Sequence, residues 1–110
     1  NGIDVEQNKT TAAMFFKISG MLGHGPSQRN LGIMNGLGDG IPENFILAYA
    51  WLSIASINKD EVAPLAREDI CKNMTEKEKN MGRQKALEIL QLLIDRSKNK
   101  RRQNMSHPIR

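Results

Sequence analysis

The stretch from Asn44 to Ile57, NFILAYAWLSIASI, is apolar almost all the way round, and it restricts the folds open to the chain more than any other feature. At about 100° per residue, Ala48, Trp51, Leu52 and Ala55 share one helical face, while Ile46, Ala50 and Ile57 fall on the opposite one. Only Tyr49, Ser53 and Ser56 interrupt the cylinder. A surface helix carries a polar back, so this one is expected to be enclosed by helices on two sides. Its entry is well marked. Gly36, Gly38 and Gly40 break the preceding element, Pro42 presets a helical φ, and Asn44 is placed to act as N-cap.

The rest of the chain supplies the neighbours such a helix needs. From Asn8 to Leu22, the spacing of Ala12, Phe15, Phe16 and Leu22, with Ile18 alongside, predicts a helix that Gly23-His24-Gly25-Pro26 ends. Pro26 then opens a short helix, SQRNLGIMN, with Leu31, Ile33 and Met34 apolar and Gly32 admitting the close approach of another helix. After the central helix, Asn58-Lys59-Asp60 is a turn. Asp60 is expected to cap a helix reaching about Asn73, with Val62, Leu65, Ala66, Ile70 and Met74 on one face. Thr75 and Glu78 form a capping box for a last, longer helix. Its stripe is Ala86, Leu87, Leu90, Leu93 and Ile94, flanked by Ile89 and Leu92. No strand pattern emerges, and the short connections predict antiparallel helical neighbours.

At 110 residues the chain fits one domain with one modest core. No apolar run approaches the ~20 residues of a membrane span. The net charge of +4 suggests an anionic partner until it is divided along the chain. Residues 1–95 carry 10 basic against 12 acidic side chains, or −2, and residues 96–110 carry six basic and no acidic ones, or +6. The basicity therefore belongs to the end of the chain. Residues 1–96 are expected to form the folded domain and 97–110 a basic, disordered tail.

Residues that could carry chemistry find structural explanations instead. Gly36-Leu37-Gly38-Asp39-Gly40 follows a helix rather than a strand and lacks the Lys-Ser/Thr of a phosphate loop, so it reads as a turn. His24, at a helix-to-helix turn without a placed carboxylate, reads as a turn or capping residue. The lone cysteine, Cys71, has no partner for a disulfide or metal site, and the adjacent Glu68 and Asp69 point about 100° apart. Asn8-Lys9-Thr10, Asn73-Met74-Thr75 and Asn104-Met105-Ser106 fit the glycosylation triplet, which arises easily in an Asn-rich chain. Neither a catalytic constellation nor a metal or other cofactor is expected.

Shifting the chain on itself by 36 residues places Ala12 on Ala48, Phe15 on Trp51, Phe16 on Leu52, Ile18 on Ile54 and Ser19 on Ala55. Small falls on small and bulky on bulky. Gly2-Ile3 and Gly40-Ile41 precede the two helices, offset from that shift by two residues. Such a period marks a solenoid of helical hairpins.

In order and spacing, Asn30-Leu31-Gly32, Met34, Gly38-x-Gly40-Ile41, Ala48, Trp51 and Ala55 resemble the Sel-one-like repeats, relatives of the tetratricopeptide repeat. Phe15-Phe16-Lys17 and Gly23-His24 resemble the end of a preceding unit, and LAREDICKNMTEKEKN the closing segment of such arrays. The chain departs from the pattern at Asn35, where Tyr is preferred, at Leu47 (Lys), Phe15 (Trp) and Ser56 (Ala). The resemblance implies an all-α, short right-handed α-solenoid of about two antiparallel hairpins with a C-terminal capping helix. It also implies a non-enzymatic scaffold or adaptor with a protein or peptide in its groove. The match opens in the middle of a unit, so the expectation is the C-terminal end of a longer array.

Side chains facing away from Ala48 and Ala55 are the expected partner contacts: Lys17 in the first copy, Tyr49 and Ser53 in the second. Tyr49 is the expected anchor. The alternative is nucleic-acid or anionic-membrane binding through Lys98, Lys100, Arg101 and Arg102, although no aromatic residue is interleaved for base stacking. Deleting residues 97–110 separates the two in a salt titration against polyanion and vesicle. Binding through the tail vanishes with the deletion, whereas binding in a helical groove survives it.

Overall fold

The computed structural model describes residues 2–106, with side chains described over 7–103. Five helices follow one another: α1 (Gly2–Met21), α2 (Gly25–Leu37), α3 (Phe45–Ile57), α4 (Ala63–Cys71) and α5 (Glu76–Ser106). No strand occurs among the described residues, and the chain is a short all-α helical repeat solenoid.

The helix starts are set by side chains that satisfy orphan N–H groups. Asn44 accepts from Leu47 N at 3.0 Å, and His24 Nδ1 accepts from Ser27 N at 3.3 Å. Asp60 Oδ1 accepts from Val62 N at 3.1 Å and Ala63 N at 2.9 Å, tying down the turn that leads into α4. The capping box is reciprocal: Glu78 N donates to Thr75 Oγ1 at 3.1 Å, and Thr75 N to Glu78 Oε1 at 2.9 Å.

α3 is the hub. It packs closely on α2, α4 and α5, whereas α1 packs closely on α2. One side of α3 gives Ala50, Trp51 and Ile54 to a cluster with Leu31 of α2 and Ala86 and Ile89 of α5. Phe16 and Met21 of α1 border the same cluster. The other side gives Leu52 and Ala55 to a cluster with Ala63 of α4. Enclosure on two sides is thus as the sequence predicts, with the faces drawn differently. Ala50 sides with Trp51, and Ile57, expected to be enclosed, is exposed at the end of the helix.

Close approach of α2 and α3 depends on small residues. A Cβ on Gly32 would lie 2.8 Å from Leu52 Cγ and 3.2 Å from the Ala48 carbonyl oxygen. Buried polar groups lock the same junction. Gln28, fully buried, donates from Nε2 to the Gly20 carbonyl at 2.8 Å and accepts from Asn58 Nδ2 at 2.8 Å, joining the ends of α1 and α3 through α2. Ser27 Oγ donates to Ser19 Oγ at 2.9 Å. No buried side-chain nitrogen or oxygen among the described residues lacks a partner, as a stable interior requires.

Several expectations need correction. α1 begins at Gly2 rather than Asn8, so Gly2 and Ile3 are helical and do not repeat the loop at Gly40-Ile41. That loop is enforced by Gly38 (φ 66°) and Gly40 (φ 80°) and by Pro42, which disfavours a helical conformation at the residue before it. The 36-residue shift sets Asp4 and Glu6 against Gly40 and Pro42, so nothing there stops a helix. The buried edge of α1 is Ala13 and Gly20, while Phe15, Ile18 and Leu22 are exposed, because a single helix packs closely on it. α4 buries Ala63 rather than Val62 and Leu65, and α5 buries Ala86 and Ile89 while Leu87 and Ile94 face water. The chain after Ser97 continues α5 as far as Ser106. Its Lys, Arg and Gln are good helix formers, and a helix already nucleated on α3 extends at little cost. His107 to Arg110 lie outside the described residues.

Trp51, 4% exposed, sits where α1, α2, α3 and α5 meet. Trp51→Ala is expected to lower stability by about 3 to 5 kcal/mol, measured as the shift in the urea midpoint at unchanged slope.

Candidate functional site

α1 and α5 flank α3 without packing closely on each other, and a trough lies between them. Its larger part has a volume of about 440 Å³. Leu31, Leu47 and Trp51 form the floor, Met14 and Lys17 one wall, Lys85, Ile89 and Leu92 the other. A second part, about 310 Å³, continues past Met21 and Leu22 to Leu93, Arg96 and Lys100. Advancing along α1 accompanies advancing along α5, so the two helices run in the same direction on either side. Met14 and Leu92, 62% and 57% exposed, leave apolar surface open in the walls. Two of the positions at which the chain departs from the repeat pattern, Asn35 and Leu47, line the trough. Asn35 is buried, with Nδ2 donating to the Leu31 carbonyl at 3.2 Å, and it is far smaller than a tyrosine would be.

The three expected contact residues do not share this surface. Lys17 does stand on the trough wall, exposed. Tyr49 is 8% exposed and lies beneath α5, where a Cβ on Gly82 would come 2.6 Å from its Cδ1. The guanidinium groups of Arg67 and Arg83 stand 5.8 Å and 5.9 Å from its ring centroid, within cation–π range. Ser53 Oγ accepts from Arg67 Nη1 at 3.2 Å, so Tyr49 and Ser53 are connected through one arginine. The depression there is of mixed charge, with Glu68, Glu76 and Lys79 beside the two arginines, and Lys79 pairs with Glu76 at 3.3 Å. Of the four expected tail cations, Lys100 borders the trough, while Lys98, Arg101 and Arg102 do not line it.

Sequence reasoning missed Lys85, Arg96 and Met14 as part of a surface. Each is unremarkable on its own helix, and only packing on α3 brings them opposite one another. Arg96 carried one usable signal, being the first residue of the wholly basic end of the chain.

The remaining polar groups have structural work. Asp39 N donates to the Met34 carbonyl at 3.0 Å and the Asp39 carboxylate pairs with Lys9 at 2.9 Å, so the glycine-rich loop ends α2 and docks on α1. His24 Nδ1 lies 2.6 Å from Ser27 Oγ, but Ser27 is 3% exposed and belongs to the cap. Among the described residues no three His, Cys, Asp or Glu side chains gather as a metal ion would require, and no helix is long and apolar enough to cross a membrane.

The model of the Sel1 repeat matches residues 1–24 and 25–60, more than half of the chain. The chain belongs to the Sel1 repeat family. The two matches end 36 residues apart, as the internal comparison of the sequence anticipates. The second covers α2, the glycine loop and α3 as one complete Sel1 unit, and the first covers α1 with its closing turn. Neither the curated proteins nor the solved structures contain a match to the chain. Sel1 repeats are in general protein-interaction modules.

Gly82 is the close-approach point for the ring of Tyr49, so Gly82→Val is expected to destabilise the fold by about 1 to 3 kcal/mol. A double-mutant cycle checks the cause. Combining Gly82→Val with Tyr49→Ala should recover part of the loss, visible as a coupling well above the ~0.5 kcal/mol of independent sites.

Proposed function

We propose that the chain is a non-catalytic scaffold module that holds a protein or peptide partner in the trough between α1 and α5, with Lys17 among its contacts. The observation that carries this reading is an elongated apolar floor, ending on a nearly buried tryptophan, between walls in which Met14 and Leu92 remain exposed. Concave apolar surface with a few polar groups at its edge is the usual form of a binding site. A trough bounded by two helices suits a third segment laid along them. Family membership supports the same class of function.

Within this reading Tyr49 and Ser53 act indirectly. The ring of Tyr49 is covered by α5, so its contribution is to hold Arg67 and Arg83, and that of Ser53 is to orient Arg67. Any contact on that side of the molecule is then made by the arginines.

Peptides selected from a random displayed library test the proposal through amide hydrogen exchange on the bound chain. Protection is expected over residues 13–21 and 85–92, with affinity falling about fivefold for Lys17→Glu. Protection confined to residues 98–106, or none anywhere, would refute it.

A further inference from the structure

We infer that the trough receives an acidic amphipathic helix of a partner protein, its apolar side on the Trp51 floor and its carboxylates against cations at both ends. This deepens the interaction reading and rests on it. The argument is one of charge and length. Lys17 and Lys85 line the larger part of the trough and Arg96 and Lys100 the smaller, and no carboxylate lines either part among the described residues. Two of these cations, Lys17 and Lys85, come from residues 1–95, whose formal charge is −2, and the other two from the basic end of the chain. Lys17, Arg96 and Lys100 make no ion pair among the described residues. Lys85 pairs with Glu88 at 3.0 Å, with side chains 44% and 54% exposed, a surface pair of the kind a better-placed carboxylate displaces at little cost.

Placement of the cations at both ends selects the occupant. From Lys85 to Lys100 the α5 axis advances about 22 Å at ~1.5 Å per residue, the length of a helix of about 15 residues. A fatty acid has one anionic end, so it would satisfy one pair of cations and leave the other facing an apolar chain. A helix with carboxylates along its flanks satisfies both, and its side chains at three- and four-residue intervals meet the floor in turn. A basic helix would be repelled along the whole length.

The chain has one tryptophan, and it floors the trough, so Trp51 emission reports occupancy directly. The probe is a capped synthetic peptide of about 15 residues with leucine at i, i+4, i+7 and i+11 and glutamate elsewhere. The comparison peptide carries lysine in place of glutamate. Sodium dodecanoate and phosphatidylserine vesicles serve as the other anionic probes. The glutamate peptide is expected to shift Trp51 emission saturably, and to bind about tenfold more weakly to the Lys17→Glu, Lys100→Glu double variant. Both positions are exposed, so the variant should melt as the parent does. Lys98→Glu with Arg102→Glu makes the same change of net charge away from the trough and should leave binding within about twofold of the parent.

Equal binding of the lysine peptide overturns the inference, as does an equal loss in the two double variants. So does a Trp51 response to dodecanoate or vesicles without one to the glutamate peptide. If the glutamate peptide fails while library-selected peptides of other composition still protect the trough, the occupant's chemistry is wrong and the interaction reading stands. If neither binds, both fall.

Discussion

A helix with no side that tolerates water has to be surrounded, and α3 imposes that requirement on everything else in this chain. Ala48, Ala50, Leu52, Ile54 and Ala55 are fully buried, which a single flanking helix could not achieve. The chain meets the requirement with α2, α4 and α5, each of which reaches α3 from a different direction. α4 supplies alanines, and α5 supplies Gly82, Ala86 and Ile89. The burial of a few large side chains on each side contributes stabilisation on the order of 2 kcal/mol apiece, enough in sum to order a chain without a disulfide.

The approach of the helices is set by what is missing as much as by what is present. Gly32 leaves room for Leu52, and Gly82 for Tyr49; in both places a methyl group would fall under 3.0 Å from the neighbouring side chain. Gln28 and Asn58 then fix the relative positions of α1, α2 and α3 through hydrogen bonds that an apolar interior makes strict. Apolar packing supplies most of the energy here, and these few polar bonds supply register.

The trough follows from the same geometry. α2 holds α1, α3 holds α5, and the two outer helices are left facing each other across Trp51. Short side chains such as Asn35 on the floor keep the space open. The surface proposed to bind a partner is the gap left by a set of contacts made for stability, with cations standing on its walls.

The architecture was largely legible in advance, because the signals for it are local. Glycine and proline positions, the capping residues Asn44 and Thr75, the turn residue Asp60, and the period of 36 depend on neighbours a few residues away or on simple repetition. Their physics acts within a turn or two of helix. Which apolar residues are buried was less legible: Phe15, Leu65 and Leu87 satisfy helical periodicity yet are exposed, since periodicity names a face without saying whether another helix covers it. The candidate site was the least legible part. Lys17, expected to contact a partner, stands on the trough wall, whereas Tyr49, expected beside it, is covered through Gly82, a residue 33 positions away with no apolar signature of its own. The sequence alone determined five helices of an all-α Sel1 repeat with α3 at the centre, because composition and spacing decide helix formation locally. The tertiary structure alone decided that Lys17, Lys85, Arg96 and Lys100 border one trough over Trp51, because the distance between side chains on separate helices is a property of packing.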